Sequence, residues 1–370
     1  IKDGKYMYRT YILRLKPNKT QTKLLDKTIS CVQKFDDIYF AQIKDTKIKS
    51  HREMLSIARN TDEDLKSIDD NILFCEIDIL KDVKNKKNFF SKFQFKTNLC
   101  KYASSIDEVI FNDSINIPSI GTIKLFNKRD YDQVEQFKSI IVYRTIDDKY
   151  FVNILFKKKE NKITKELDPN NSIGLDYSSP NFYVDSNGET PDKPVIIKKY
   201  DKQIMKLQSK LKESEDDEKL HHKFSIEYAN LYNDIKNERK DFIHKTSTKL
   251  ANQYDYVFVE NINLAKIATH RNLGKATNDN AYGKFLKVLD YKMNDRGKKL
   301  IRIDKFYPSS QICNNCGYTY QDLTLKQRKW ICPECGVLLD RDINAAINIR
   351  NRGIQLVNKR TAGQSASYFA

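Results

Sequence analysis

The sequence predicts a multi-domain α/β protein, in which an α/β core carries a four-cysteine insertion and an N-terminal β-barrel carries a helical insertion. Three observations lead to this fold class. The chain has 370 residues, which exceeds a single domain of about 100 to 200 residues. Its hydrophobic pattern runs in the order strand, helices, strands, and then strands that alternate with helices. Two closely spaced cysteine pairs interrupt the last part of that pattern.

The N-terminal part predicts a small β-barrel that is interrupted by helices. Residues 6 to 17 alternate like a strand and end at Pro-Asn, after which Thr20 can cap a helix, and the helical pattern continues to about Tyr102. Residues 106 to 158 return to strands with turns between them. Because the first strand has no partner among the helices, we expect a barrel over 1–18 and 103–160 that carries a helical domain over 19–102.

The charge of the chain suggests a polyanionic partner. Lys and Arg number 66 against 49 Asp and Glu, a net charge of +17, and such a surplus points to nucleic acid. A lysine-rich proteome would give the same composition, so the charge alone does not decide. Residues 81 to 101 interleave Lys with Phe, which suits either a phosphate-gripping surface or a core helix with a solvated Lys face. Candidate phosphate contacts, each equally explained as a solvated surface charge, are Lys84, Lys87, Lys92, Lys96, Arg239 and Lys245.

Targeting signals are not apparent in the sequence. It contains no run of about 18 apolar residues, and its first residues lack the apolar segment of a signal peptide. We therefore expect a cytoplasmic protein with no membrane contact, associated with the nucleoid if the host is bacterial. In such a reducing compartment, closely paired cysteines indicate a metal site rather than disulfides.

The C-terminal half predicts a mixed α/β sheet. One strand ends at Ile173 to Asp176, the next covers 182–185, and a Ser-Asn-Gly hairpin turn follows it. A charged helical stretch over about 198–252 leads to an apolar strand that ends at Glu260. A further helix, about 281–296, precedes a strand over 299–304.

The cysteine pairs form the clearest motif of the sequence. Cys313-Asn-Asn-Cys316 is followed, after fifteen residues, by Cys332-Pro-Glu-Cys335, and Gly317 and Gly336 allow a tight turn after each pair. Two such pairs place four thiolates around one ion. A rubredoxin-like iron site uses similar spacing, but zinc is the expected metal. Since all four ligands come from the protein, we expect one structural Zn²⁺.

Asp176, Glu260 and Asp342 are the candidate catalytic residues. The first two end apolar strands, and Asp342 lies where a helix begins. Each alone is explained as a turn, strand-end or helix N-terminal residue. Together, three acids at the ends of elements in one α/β region can converge only at a large electrostatic cost unless cations lie between them. Carboxylates are preferred Mg²⁺ ligands, and two such ions about 4 Å apart catalyse phosphodiester hydrolysis, so we expect two Mg²⁺ and cleavage of nucleic acid.

Four ordered blocks of the sequence match a known family. They are Ile173-Gly-Leu-Asp176, Val259-Glu260-Asn-Ile-Asn263, Phe306-Tyr-Pro-Ser-Ser-Gln-Ile-Cys313-Asn-Asn-Cys316-Gly and Asp340-Arg-Asp342-Ile-Asn344-Ala-Ala. This arrangement resembles TnpB, the nuclease of small bacterial insertion sequences and a relative of type V CRISPR effectors. One departure is visible, since the Asp-Leu-Gly of the family reads Asp176-Tyr-Ser here. That change leaves the backbone path after Asp176 open, but not the carboxylate.

The resemblance implies a function and a domain plan. By it, the chain is a metal-dependent endonuclease that uses a guide RNA from the transposon end and cleaves double-stranded DNA next to a short flanking motif. Residues 171–305 and 339–356 would form a RuvC-type, RNase H-like nuclease, 306–338 a zinc-ribbon element that binds target nucleic acid, and 357–370 a C-terminal tail. The barrel would be the wedge domain and its helical insertion the recognition domain. Catalysis falls on Asp342, with Asp340 in a supporting position.

Three other functions are compatible with parts of the sequence. A nuclease-silent, RNA-guided DNA-binding regulator would lack one of the acids, and none is missing. A strand-transfer transposase could use the same three acids, so chemistry alone does not exclude it. A zinc-ribbon transcription factor has no need of carboxylate-bearing strands. The sequence leaves the guide RNA, the flanking motif and the oligomeric state open.

Overall fold

The computed structural model describes residues 6–45, 50–81, 94–98, 110–111, 113–126, 136–159, 166–192, 196–262, 281–324 and 326–361. The chain divides into two compact units, Ile1–Glu160 and Asn161–Ala370. Helices and strands are numbered below in chain order over the described residues.

The first unit combines helices with one sheet. Its helices are α1 (Lys19–Asp45), α2 (His51–Thr61) and α3 (Asp70–Leu80), and its strands are β1 (Tyr6–Lys16), β2 (Gln94–Asn98), β3 (Ile110–Phe111), β4 (Ser114–Ile117), β5 (Gly121–Leu125), β6 (Gln136–Arg144) and β7 (Tyr150–Lys159). The sheet order is β2-β6-β7-β1-β5-β4-β3, so β1 pairs with strands that follow the helices. Among the described residues no pairing joins β2 to β3, and closure into a barrel stays a prediction. Helices and strands share one hydrophobic core.

Two expectations for this unit are wrong in detail. Helix α1 is capped by Asn18 rather than Thr20, because the Asn18 side chain accepts a bond from Gln21 N at 2.9 Å and the Gln21 side chain accepts one from Asn18 N at 3.0 Å. The helical pattern also does not reach Tyr102, since Gln94–Asn98 is a strand that pairs antiparallel with β6. In the sequence, Phe93 and Phe95 alternate with polar residues. This period of two favours a strand, whereas the Lys-rich pattern around it favours a helix.

The second unit contains the predicted mixed α/β sheet. Its strands are β8 (Ser172–Ser178), β9 (Phe182–Asp185), β10 (Tyr256–Val259), β11 (Lys299–Arg302), β12 (Lys329–Ile331) and β13 (Leu338–Asp340), and its helices are α4 (Ile196–Glu213), α5 (Glu218–Gln253), α6 (Tyr282–Asp295) and α7 (Arg341–Thr361). The main sheet has the order β11-β10-β8-β9. Strands β8, β10 and β11 are parallel, and β9 is antiparallel to β8. The charged stretch expected as one helix is two helices, α4 and α5.

Helices cover both faces of this sheet. On one face, Ile173 and Val257 pack with residues of α5 and α6. On the other, Phe258 packs with residues of α7. The approach of α7 requires two glycines, because a Cβ on Gly174 would collide with the α7 backbone and a Cβ on Gly353 would collide with the Phe258 ring. Helix α7 is therefore held directly over β8 and β10.

None of the helices in the described part of the chain combines the length and the apolar character that crossing a bilayer requires.

Candidate active site and metal centre

Asp176 and Glu260 lie side by side at one edge of the sheet. The β8–β10 register pairs Val259 with Leu175, so continuing it by one residue places Glu260 opposite Asp176. Successive side chains of a strand point to opposite faces. Asp176 therefore shares the face of Gly174, and Glu260 shares the face of Phe258, which is the face that α7 covers. Both carboxylates are presented to the N-terminal end of α7.

Asp342 is the second residue of α7. The side chain of Asp340 accepts hydrogen bonds from the backbone N–H groups of Asp342 and Ile343, at 3.1 and 3.2 Å. Asp340 is thus the N-terminal cap of α7. This contact agrees with the supporting position expected for Asp340, because capping fixes the backbone that carries Asp342.

The three acids act on one another electrostatically. Burial, together with the negative charges of Glu260 and Asp342, raises the pKa of Asp176 well above its usual range, while Arg341 and Arg328 oppose the rise. Burial also raises the pKa of Glu260, against a hydrogen bond from Ser309 that lowers it. Ionising such a group of acids costs free energy that a nearby cation would offset.

Two arginines form ion pairs with Asp342. Arg328, which precedes β12, lies 3.0 Å from one carboxylate oxygen, and Arg341 lies 3.1 Å from the other. In the part of the chain that the structure describes, the cysteine cluster is the one group of candidate ligands whose atoms all lie within 4.8 Å of each other. The acids therefore converge on one region without closing around a single point.

Ser309 connects Glu260 to the cysteine-bearing segment. Its hydroxyl donates to Glu260 Oε1 at 2.5 Å, and Ser309 is buried. Asn348 on α7 donates to the backbone oxygens of Ser309 and Ile312, at 2.8 and 2.6 Å, and Asn344 also donates to Ile312 O at 2.8 Å. Both asparagines are buried. Helix α7 thus fixes the segment that carries Ser309.

The four cysteines form a compact sulfur cluster. Cys313 and Cys335 have their sulfurs 3.7 Å apart, and Cys316 and Cys332 have theirs 3.6 Å apart. These distances are too long for a disulfide, which needs about 2.05 Å. Four sulfurs placed tetrahedrally at about 2.3 Å from one zinc ion lie about 3.8 Å apart. The cluster could therefore hold a zinc ion.

The turns after each cysteine pair follow the predicted pattern. Gly317 and Gly336 have φ of 79° and 70°, in the left-handed region, and their N–H groups donate to the carbonyls of Cys313 and Cys332 at 2.9 Å. Hydrogen bonds from the backbone N–H of Val337 and from the Asn315 side chain lower the pKa of the Cys335 thiol to about 6. A lowered thiol pKa favours the thiolate, the form that binds metal.

The candidate phosphate contacts have diverse environments. Lys84, Lys87 and Lys92 lie outside the described residues. Lys96 on β2 is half-buried, and its charge opposes the rise that burial causes in the pKa of Glu76. Lys245 is exposed and forms an ion pair with Asp241 at 2.7 Å. These positions leave the contacts as predictions.

Arg239 belongs to a basic cluster that the sequence did not single out. Burial, together with the charges of Lys236, Lys240 and Arg239 on α5, lowers the pKa of Lys284 on α6. Lys236, Arg239 and Lys240 are neighbours on α5, but Lys284 joins them only because α5 packs against α6.

Sequence reasoning also missed Ser309, Arg328 and Ser178 as parts of the site. Ser309 and Arg328 reach the carboxylates from the cysteine-bearing segment, so only tertiary structure could reveal them. Ser178 lies two residues after Asp176 on the same face of β8 and is 4% exposed. Its hydroxyl has no hydrogen-bond partner among the described residues. The departure from the Asp-Leu-Gly pattern was the available signal for Ser178.

Two protein-family models and one solved structure are similar to this chain. The model of a family described as Probable transposase matches residues 153–271, and that of the Cas12f1-like TNB domain matches residues 282–349. A chain of the Cas12f1–sgRNA–target DNA complex, determined by cryo-EM, has a similar fold with a TM-score of 0.54 and 14% identity. That match covers 91% of this chain and 84% of the Cas12f1 chain.

Several curated proteins are similar to this chain in sequence. A Streptomyces pristinaespiralis protein, provisionally named an RNA-guided DNA endonuclease, is 29% identical over 58% of this chain and 53% of its own length. InsQ of Escherichia coli K12, provisionally named in the same way, is 25% identical over 74% of this chain and 73% of its own. TnpB-like protein L79 of Acanthamoeba polyphaga mimivirus is 27% identical over 33% of this chain and 24% of its own. The match thus spans about half the length of the Streptomyces relative.

These comparisons show that the chain is similar to the family described as Probable transposase, to the Cas12f1-like TNB domain and to proteins named TnpB-like. The resemblance to TnpB that the sequence motifs predicted is confirmed as a similarity.

Proposed function

We propose that the chain is an RNA-guided endonuclease, encoded by a transposable element, that cleaves double-stranded DNA next to a short flanking motif. The observation that carries the proposal is the convergence of Asp176, Glu260 and Asp342, from β8, β10 and α7, with pKa values raised in the first two. The provisional names of the Streptomyces and Escherichia relatives support the same activity.

The domain plan of the proposal follows the elements. The sheet and helices over 171–305 and 339–356 act as a RuvC-type, RNase H-like nuclease, and 306–338 act as a zinc ribbon that contacts the target. In the first unit, 1–18 and 103–160 act as the wedge barrel and 19–102 act as the recognition domain. Residues 357–370 form a C-terminal tail of the second unit. Support comes from Asp176 and Glu260, which lie at the carboxyl ends of the parallel strands β8 and β10, the position where open α/β sheets bind ligands.

The donor set fits Mg²⁺, because carboxylate oxygens are the ligands that this ion prefers. Asp176, Glu260 and Asp342 would hold the ions. When bound, Mg²⁺ would offset the charge of the acids and stabilise the negative charge that develops on the phosphate during hydrolysis. Ser309 orients the Glu260 carboxylate, and Asp340 orients the backbone of Asp342 by capping α7. The cysteine cluster holds one structural Zn²⁺.

The proposed partners are a guide RNA from the transposon end and a double-stranded DNA target. The Cas12f1 chain of similar fold was determined with sgRNA and target DNA. The net charge of +17 supports a nucleic-acid partner. Lys84, Lys87, Lys92, Lys96, Arg239 and Lys245 stay candidate contacts, and the proposed location is the cytoplasm, with nucleoid association in a bacterial host.

A test begins with the RNA that copurifies with the protein, because its sequence identifies the guide scaffold. The protein is then loaded with that scaffold, programmed for one target, and given plasmids that carry the target beside a library of flanking sequences, with Mg²⁺. We expect double-strand breaks with wild type and none with Asp176→Ala. If wild type cuts no member of the library yet binds some of them, the nuclease-silent regulator replaces this proposal.

A strand-transfer transposase is the second candidate, because one matching family is described as Probable transposase. The same acids could serve either reaction. Sequencing of the products separates the two, since strand transfer joins DNA ends to new positions whereas hydrolysis leaves free ends.

A further inference from the structure

Phe306 occupies an unusual position at the tip of a turn. Its side chain is 88% exposed, the largest value among the exposed large apolar side chains of the described residues. Its φ is +72°, in the left-handed region, and Tyr307 N donates to Asp304 O at 3.3 Å across the turn. Glycine is the usual residue at such a position, and a large side chain there destabilises the backbone. Because the ring is exposed, packing does not offset that cost.

Both ends of the turn are firmly held. Asp304 forms an ion pair with Arg352 of α7 at 2.5 Å, and the Arg352 guanidinium lies 5.6 Å from the centre of the Tyr307 ring. Tyr307 packs against the core between the sheet and α7. The residues on both sides of Phe306 are therefore fixed by contacts with α7 and the core. These contacts impose the strained backbone conformation of Phe306.

The turn is close to the carboxylates. Phe306 precedes Ser309 by three residues, and Ser309 bonds to Glu260. Three residues span at most about 11 Å, so the ring lies within a few nucleotides of the place where the acids converge. Lys305 places its ammonium 5.0 Å from the centre of the Phe306 ring. An aromatic face and a cation thus occur together beside the candidate active site.

We infer that Phe306 is a stacking platform for an unpaired base of the DNA strand that the nuclease cuts, and that Lys305 contacts a neighbouring phosphate. This inference rests on the proposed function. Single-stranded nucleic acid is held by aromatic rings that stack on bases and by cations that follow the backbone. A protein partner fits less well, because one ring flanked by Lys305 and Asp304 does not form a contiguous apolar patch.

The inference is tested with the full-length protein and a single-stranded 12-nucleotide thymidine oligonucleotide that carries one 2-aminopurine, in Ca²⁺. Stacking quenches 2-aminopurine fluorescence. Wild type should quench the 2-aminopurine fluorescence. Phe306→Ala should lose the quenching and should bind the oligonucleotide about 5- to 150-fold more weakly, which is the range expected for loss of one stacked base. Phe306→Trp should retain the quenching and Phe306→Leu should not, because stacking on the base requires an aromatic ring and not only an apolar side chain. Tyr232→Ala, which removes an aromatic side chain that is 44% exposed on α5, is the matched control and should behave like wild type.

A second measurement separates binding from folding. Phe306→Gly relieves the strain at φ +72°, so it should raise the melting temperature while it abolishes quenching. A structural role for the ring predicts the opposite change in melting. Absence of quenching by wild type, equal quenching by wild type and Phe306→Ala, or a destabilised Phe306→Gly would overturn the inference. Guided cleavage by wild type tests the proposed function separately, because the oligonucleotide assay needs neither guide RNA nor cutting.

Discussion

Ser309 donates a hydrogen bond to Glu260, with 2.5 Å between Ser309 Oγ and Glu260 Oε1. Ser309 lies four residues before Cys313, the first cysteine of the cluster, and its backbone is fixed by Asn348. The segment that carries the cysteines therefore reaches one of the acids directly. Arg328, between the two cysteine pairs, reaches another, Asp342. The cysteine cluster and the candidate active site are thus connected through Ser309 and Arg328.

Ser309→Ala should reduce cleavage about ten- to hundredfold. A hydrogen bond to a charged group contributes about 1.5 to 3 kcal/mol, and its loss leaves Glu260 free to rotate away from the cation. Divalent-ion affinity should fall in parallel, which titration with Mn²⁺ measures without DNA. Ser309→Thr keeps the hydroxyl and should restore much of both. Ser310→Ala removes a neighbouring hydroxyl and should match wild type, and an equal loss in the two alanine variants would contradict this role.

Asp176→Ala, Glu260→Ala and Asp342→Ala should each abolish Mg²⁺-dependent cleavage while guide and target binding persist. Each acid positions a cation whose charge stabilises the transition state, so the remaining two cannot restore the geometry. Filter retention measures guide and target binding, and cleavage is measured on the same complexes.

Two further aspartates serve as controls for that series. Asp340→Ala removes the α7 cap, and Asp185→Ala removes a side chain that accepts backbone bonds from Asn187 and Glu189 at 2.9 Å. Both should retain measurable cleavage, at a stability cost of about 1 kcal/mol for the cap. Complete loss in Asp340→Ala with binding intact would move the catalytic assignment toward that residue.

Removal of zinc should lower both stability and activity. A four-cysteine zinc site contributes directly to folding, and here its loss should also displace Ser309 and Arg328 from the acids. Elemental analysis should give one zinc per chain, and extraction with a zinc-selective chelator should lower the melting temperature and abolish cleavage even in excess Mg²⁺. Cys316→Ser should reproduce the effect. Cys31→Ala, at a buried cysteine of the first unit, should leave the zinc content unchanged.

Parts of this architecture were predictable because they depend on local patterns. The apolar runs before Asp176 and Glu260 predict strands β8 and β10, although β8 continues two residues beyond the expected end at Asp176, to Ser178. The Cys-x-x-Cys pairs followed by glycine predict the turns that the structure contains. The motifs also predicted the resemblance to TnpB that the comparisons support. These features are encoded within a few residues, where periodicity and turn chemistry apply.

Other parts depend on contacts between distant segments. The ion pair of Arg328 with Asp342 and the bond of Ser309 to Glu260 join residues 14 and 49 positions apart. The Lys-rich run over 81–101 predicts a helix, whereas Gln94–Asn98 forms strand β2, and its pairing with β6 decides the conformation. Tertiary pairing overrides a local preference of this kind.

Glu76 should make the first unit less stable at alkaline pH. Burial raises its pKa from about 4.5 to about 7, against the lowering effect of Lys96. A carboxyl whose pKa is raised by folding contributes stability below its unfolded pKa, and that contribution is lost as the pH rises through the folded value. The full effect is on the order of 3 kcal/mol, at about 1.4 kcal/mol per tenfold change in proton affinity. Glu76→Gln should therefore melt higher than wild type at pH 8.5, with the difference shrinking towards pH 5.

Glu63→Gln is the matched control for Glu76, because the Glu63 side chain is 90% exposed. Its melting temperature should follow that of wild type across the same pH range. If Glu76→Gln also follows wild type at every pH, the buried carboxyl has no such effect on stability.

Arg328→Ala should bind divalent cations more tightly than wild type in the absence of DNA. The Arg328 guanidinium lies 3.0 Å from Asp342 and therefore competes with a metal ion for that carboxylate. The Arg328 side chain is 58% exposed, and exposed pairs contribute up to about 1 kcal/mol, so the gain should be at most about fivefold. It should diminish as salt screens the pair. Titration with Mn²⁺, followed by electron paramagnetic resonance, measures the affinity. Lys329→Ala removes the same charge from the next residue, and equal affinities in the two variants would show that net charge, not competition for Asp342, sets the result.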